Sequence, residues 1–451
     1  MIRPPISQDY SFKDSQQLAG RSKFSSTTTR IVAISILGLV LLYSTVHLYF
    51  NIDLYAWPIH GSDFLASFPN HIIAEWFGTP ERFYLYYPMD THMMAQQYWN
   101  YGPIFHLITL PMYFMPSAEF AYRVLLIQFG FAYLLGSGIM LYNLRLLKLP
   151  SYPSIFAIVV CLNFYPAYEA FTQRSVELFE VLLIAIGIYC YSRRSYRLAG
   201  IVIGLATMTK FLPGILIFWF LIRRKWSALL SSLSVCIICT ISAELAFGWR
   251  NSWTWKLIED IEQYDPSYFL GHPLNQAISG AVYRLLPHVG LSNHADMIVG
   301  ALSGLCILLM AWWLYRRRDS SDWLLEWCLL LTLVIFIAPH NQNYYLVILV
   351  IPFYVAIDRT RSVVGKRRPY IWATLGIAYL LVGWPLALRA VTWLSNNIFR
   401  TNWQSDYIGP RLLSLSVTLV GTVLLLGVLV TVSKQNQDPT GGAERPIRAL
   451  G

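Results

Sequence analysis

The chain has 451 residues, 56% hydrophobic and only 13% charged, with a mean hydropathy of +0.47. That balance excludes an ordinary soluble domain and points to an all-α protein that crosses a membrane many times. The net charge of +10 does not call for nucleic acid, because Lys and Arg fall in short clusters bordering apolar runs, as a positive-inside topology requires.

In chain order, the first thirty residues are polar and are expected to form a disordered cytoplasmic tail carrying Arg21, Lys23 and Arg30. Ile31 to Phe50 is the first membrane-length apolar run. No small-residue cleavage site follows it closely, so it reads as a retained helix. Residues 51–119 form an outer loop. Between Asn51 and Asn100 one basic residue, Arg82, stands against Asp53, Asp63, Glu75, Glu81 and Asp90. The apolar piece Pro103 to Met115 reaches only ~20 Å as a helix against a hydrocarbon core of ~30 Å, so it should lie on the outer surface or re-enter.

Further spans are expected at 120–142, 152–168, 177–191, 227–247, 297–315, 322–338, 342–357, 370–390 and 411–433. Arg145 with Lys148, Arg193 to Arg197, Arg223 to Lys225, Arg316 to Arg318 and Arg359 to Arg368 mark the cytoplasmic turns. A second outer loop, 248–296, is rich in Trp, Tyr and acids, as in Trp253, Glu259 and Tyr264. Its aromatics suit an interfacial belt or the apolar faces of sugar rings. Residues 434–451 read as a disordered cytoplasmic tail, which leaves 31–433 as one transmembrane domain of about 10–12 helices. The six cysteines lie within or at the ends of apolar runs without neighbouring histidines, and read as small core residues.

The segment Leu198 to Ile222 is long enough to cross once, yet both its ends are basic. A single crossing would turn the later basic clusters outward, so a hairpin of two short helices fits better. Its tip would be Lys210-Phe211-Leu212-Pro213, where proline interrupts the helix. Irregular backbone at membrane depth lines a wet cavity or is covered by protein, so Lys210 is expected to point into a cavity.

Several short pieces recur in order along the chain. They are Gly61-Ser62-Asp63-Phe64, Tyr101-Gly102-Pro103 closing at Met115-Pro116, Gly204-Leu205-Ala206 running to Lys210-Phe211-Leu212-Pro213, and Asn275-Gln276-Ala277 ahead of a helix from Gly280 to Leu286. In this order they resemble the polyprenol-phosphate-mannose-dependent mannosyltransferases of glycosyltransferase family 87, within the C-type glycosyltransferase fold. The resemblance implies a bundle with helices in its outer-face loops and an active site facing outward. Departures exist. Thr172-Gln173-Arg174 stands where the family has a Gly-Gln pair, and in Pro339-His340-Asn341-Gln342-Asn343-Tyr344-Tyr345 a tyrosine, Tyr344, occupies the usual histidine position while His340 lies nearby.

The chemistry can be stated from the reaction such a chain would run. An acceptor hydroxyl must lose a proton as it attacks the anomeric carbon of a lipid-phosphate sugar, and one interfacial carboxylate, Asp63, can take it. Charge builds on the leaving phosphate, so a fixed cation is needed there, with Lys210 and Arg174 as candidates. Phosphate needs no acid to leave, so one carboxylate suffices, unlike glycoside hydrolysis, and direct displacement inverts the anomeric centre. Gln173, His340, Asn275, Gln276 and Tyr101 complete the expected substrate contacts.

Plain alternatives stand beside each assignment. Asp63 could cap a helix, Lys210 could snorkel, Arg174 could pair with Glu177 or Glu169, His340 could be a satisfied interfacial histidine, and Asn275 and Gln276 could cap the helix that follows. No phosphate loop, HExxH motif or soluble nucleotide-sugar domain is visible, so the expected donor is a polyprenyl-phosphate sugar with a glycan or glycolipid acceptor; no metal or cofactor is assigned. The expected function is transfer of a hexose, mannose by the resemblance, at the outer face of the plasma membrane. A transporter or flippase of lipid-linked sugars, which should show paired broken spans in two inverted halves, and a transferase for another lipid-linked sugar are the alternatives.

Overall fold

The computed structural model describes residues 118–147, 151–173, 175–247, 270, 275–317, 322–338, 341–363, 365–383 and 416–435, with isolated Ser35 and Ile104. The expected first span at 31–50, most of both outer loops and both tails lie outside the described residues. Every regular element among the described residues is helical: α1 Ala118–Asn143, α2 Tyr152–Leu162, α3 Tyr165–Gln173, α4 Glu177–Ser192, α5 Tyr196–Thr209, α6 Ile215–Ile222, α7 Trp226–Phe247, α8 Ile278–Leu285, α9 Ala295–Arg316, α10 Trp323–Ile337, α11 Val350–Arg361, α12 Arg368–Gly383 and α13 Val417–Gln435, with short 3-10 turns between some of them. Among the described residues four stretches, Arg123–Asn143, Tyr152–Phe171, Trp226–Leu245 and Ser292–Arg316, are long and apolar enough to cross a membrane. This is a polytopic helical membrane protein.

The expected span at 152–168 is interrupted. Helix α2 ends at Asn163, and α3 begins at Tyr165 with Pro166 in its first turn, where a missing N–H costs nothing. Carbonyls freed near the break are taken up from other helices. The Tyr133 hydroxyl donates to Cys161 O (2.9 Å) and the Tyr379 hydroxyl to Asn163 O (3.1 Å).

The stretch from 196 to 222 turns back on itself. Tyr191 at the end of α4 packs at 4.8 Å on Tyr196 at the start of α5 and at 5.7 Å on Trp219 near the end of α6. The two ends of the stretch therefore meet, and α5 and α6 form the arms of a hairpin whose tip carries Lys210. Trp323 and Trp327 of α10 close the same aromatic cluster, at 4.4 and 5.5 Å from Tyr191. Next, α7 runs alongside α5 in the same direction. Glycine permits the close approach: a Cβ at Gly200 would strike the Ala228 carbonyl, and one at Gly204 would lie 2.8 Å from Ser232 O. On that register Lys210 is level with Ile238, ~14 Å short of the end of α7 at Phe247. The hairpin tip thus stops at depth. Cys236 and Cys239, three residues apart on α7, are free thiols packed near Met208 and Ala243.

The basic turns collect at the opposite end. The Arg361 guanidinium donates to Leu144 O (3.0 Å), Arg223 to Arg317 O (2.9 Å), and Arg317 to Ser433 O (2.6 Å), while Arg359 pairs with Asp322 at 2.8 Å. Arg223 also forms a buried ion pair with Glu326, which accepts from the Trp219 indole at 2.7 Å. Three helices end here in the same way. Arg145, Arg194 and Arg224 have φ of 55°, 61° and 51°. Each is followed by an amide that bonds back five residues, as in Leu146 to Leu141 O (2.8 Å), Ser195 to Cys190 O (3.0 Å) and Lys225 to Phe220 O (2.8 Å). This is the Schellman closure, with arginine where glycine is usual.

Candidate functional site

At the far end from the basic turns, the segment from Asn341 to Tyr345 joins two groups of polar residues. Pro352, in the first turn of α11, has no N–H for the carbonyl four residues earlier, and the chain before it, Asn343–Leu349, is wound as a 3-10 helix. That tighter winding presents Tyr344 and Tyr345 toward the hairpin tip. The Lys210 ammonium lies 3.6 Å from the Tyr345 ring centroid and 5.8 Å from that of Tyr344, a cation–π arrangement.

Lys210 is held from the other side by α4. It caps α5 in extended conformation, its amide bonding to Ala206 O, and its ammonium forms an ion pair with Glu177. Glu177 also accepts from the Ser175 hydroxyl. One turn further along α4 is Glu180, fully buried, with neither carboxyl oxygen hydrogen-bonded among the described residues and within electrostatic reach of both Glu177 and Lys210. An ammonium and two carboxyls are therefore largely buried together, where charges act on one another more strongly than in water.

The second group ties the segment down. Asn275 Oδ1 accepts from the amides of Ala277 (3.2 Å) and Asn341 (3.1 Å), and the Gln276 amide donates to Asn341 O at 2.8 Å. Asn275 Nδ2 donates to Leu270 O (3.3 Å), and Asn341 Nδ2 to Ile335 O (2.9 Å). Arg284 on α8 donates to Asn275 O (2.9 Å) and to the Ser416 hydroxyl (2.6 Å). Burial lowers its guanidinium to about 10, still cationic near neutrality. Asn275 and Gln276 are buried. Asn275 works here as a brace between α8 and the turn after α10.

Of the residues expected from sequence to form a site, the structure brings Lys210 and the turn carrying Tyr344 together, and locks Asn275 and Gln276 onto that same turn. Asp63, Tyr101, Arg174 and His340 lie outside the described residues. Gln173 is the last residue of α3, and its side chain also lies outside what is described. Glu177 and Glu180 were not among the expected site residues. Their signal was legible, because two acids three apart at the start of a sixteen-residue apolar helix are costly at membrane depth and mark function by default.

A profile of glycosyltransferase family 87 matches residues 99–339, a stretch that contains Glu177, Glu180, Lys210, Asn275 and Gln276 and excludes Asp63 and His340. Over 145 residues the chain is 28% identical to a protein of Mycolicibacterium smegmatis described as a polyprenol-phosphate-mannose-dependent alpha-(1-2)-phosphatidylinositol mannoside mannosyltransferase. The match covers 32% of this chain and 31% of that protein, so the chain spans about a third of the relative's length. No solved structure matches.

Proposed function

Because this chain belongs to glycosyltransferase family 87 and is a membrane glycosyltransferase, we propose that it moves a hexose, mannose by analogy with its relative, from a polyprenyl phosphate to a hydroxyl of a glycan or glycolipid. The observation that carries the reading is a cation at the tip of a hairpin that stops inside the bundle. A lipid-linked donor keeps its prenyl chain in the bilayer and its phosphate close by, so a counter-ion carried by the membrane-embedded part of the protein is the one within its reach.

On this reading Lys210 meets the phosphate as the glycosidic bond to it breaks and negative charge builds on the leaving oxygen. Asp63 takes the acceptor hydroxyl proton, the acceptor oxygen attacks the anomeric carbon opposite the leaving phosphate, and the configuration inverts. Arg174 and Gln173, at the junction of α3 and α4, are proposed to flank the phosphate, with Tyr101 and His340 toward the sugar. Asn275 and Gln276 hold the turn that carries His340. The site faces outward from the plasma membrane, with both termini in the cytoplasm.

The test is product formation by the purified chain with polyprenyl phosphomannose and a membrane-lipid acceptor extract. Asp63→Asn should retain folding and donor binding and lose transfer by at least ~10²-fold, the usual weight of a positioned base. Normal transfer by that variant, or lipid movement without a new glycosidic bond, would overturn the reading.

A further inference from the structure

Lys210 is engaged by groups of its own chain. Glu177 holds its ammonium, and Glu180, wholly buried and lacking a hydrogen bond at either oxygen, stands one helical turn away. The described groups, one ammonium and two carboxyls, are neutral together only if one carboxyl carries a proton. A donor phosphodiester brings one further negative charge. If it takes the ammonium, it leaves two buried carboxyls without that counter-ion, which burial disfavours unless one of them is neutralised.

We infer that Glu177 and Glu180 act as a proton-exchanging counter-ion for Lys210, so that capture of the ammonium by a lipid phosphodiester is accompanied by uptake of one proton by the carboxyl pair. This rests on the reading of Lys210 as the phosphate's cation. In the exchange one ion pair, ammonium with carboxylate, is replaced by another, ammonium with phosphodiester, and the displaced carboxylate becomes an acid with a proton from solvent. The net charge of the described groups, phosphodiester included, is unchanged. Because the two carboxyls interact, the proton belongs to the pair rather than to either residue.

Other titratable groups toward this end of the bundle are Tyr344 and Tyr345 against Lys210, and on α3 Glu169, which accepts from the Tyr165 hydroxyl at 2.9 Å. Arg123 on α1 and Glu244 on α7 lie further out along their helices. Among the described residues only Glu177 and Glu180 combine full burial with contact or direct electrostatic reach to Lys210.

The sign follows from mass action. A proton on the bound side makes donor binding tighter as pH falls, by up to about tenfold per pH unit for one proton. The experiment is calorimetry on the full chain in lipid nanodiscs, titrated with farnesyl phosphomannose in two buffers of different ionisation enthalpy. The phosphodiester has no proton of its own to exchange near neutrality. Uptake of about one proton is expected for the wild-type chain. In Glu177→Gln/Glu180→Gln uptake should vanish, with affinity at high pH several-fold tighter because neither carboxylate competes for Lys210. Binding without proton uptake by the wild-type chain, or equal uptake by the double variant, overturns the inference and leaves the donor assignment standing. Absence of binding removes the donor assignment itself, and the inference with it. Should the double variant fail to fold, the wild-type proton count decides alone.

Discussion

At Lys210 the chain places an ammonium in a position where removing either charged partner is worse than removing both. Its side chain is 13% exposed and that of Glu177 is 1% exposed, so Lys210→Met should strand a carboxylate and cost ~3–5 kcal/mol, as broken buried pairs do. Lys210→Met with Glu177→Gln should recover most of that loss, since the isosteric pair leaves no ion behind. Thermal unfolding of the variants in detergent measures both. If the single variant is as stable as the wild type, the pair contributes nothing to the fold. The location of Lys210 could be read from sequence because a proline three residues on and basic clusters at both ends of a short apolar segment admit few other paths. Its partner could not. Sequence adjacency offered Glu177 and Glu169 as alternative partners for Arg174, whereas the contact between Glu177 and Lys210 depends on the register between antiparallel α4 and α5, which neither segment spells out.

Among the elements, the parallel pair α5 and α7 depends on missing side chains. Gly200 meets the Ala228 carbonyl, which belongs to helix backbone and cannot turn aside. Gly200→Ala should therefore force the helices apart at a cost of ~1–3 kcal/mol. Gly300→Ala on α9, where an added Cβ meets nothing within 4 Å, should be neutral or gain up to ~1 kcal/mol from helix propensity. Unfolding temperatures of the two single variants settle the comparison, and equal effects would mean that close approach does not govern the pairing of α5 with α7. Among the described residues helix existence was legible, since apolar runs of membrane length admit little else. The break at Asn163 was not, because Pro166 in a first turn is compatible with helix and only the tyrosines of distant helices make the interruption cheap.

For the whole molecule, the charge rule has a spatial counterpart: among the described residues, turns from five separate places in sequence gather at one end and hydrogen-bond to one another. Which face of the membrane that end occupies is open to direct test. In a cysteine-free background, Ser195→Cys in the exposed turn before α5 and Ser292→Cys in the exposed turn before α9 lie at opposite ends of the bundle. A membrane-impermeant maleimide added to intact cells should label position 292 at once and position 195 only after permeabilisation; the reverse pattern would place the site on the other face. The three arginines with positive φ give this end a further consequence. Glycine would fit those closures with less strain, about 1 kcal/mol at each. Selection for heat resistance in detergent should therefore favour discarding them, while insertion by the translocon reads the same guanidinium groups as the signal to stay behind. A screen run only on solubilised protein would thus enrich chains that are hardier in the tube and more often upside down in the cell.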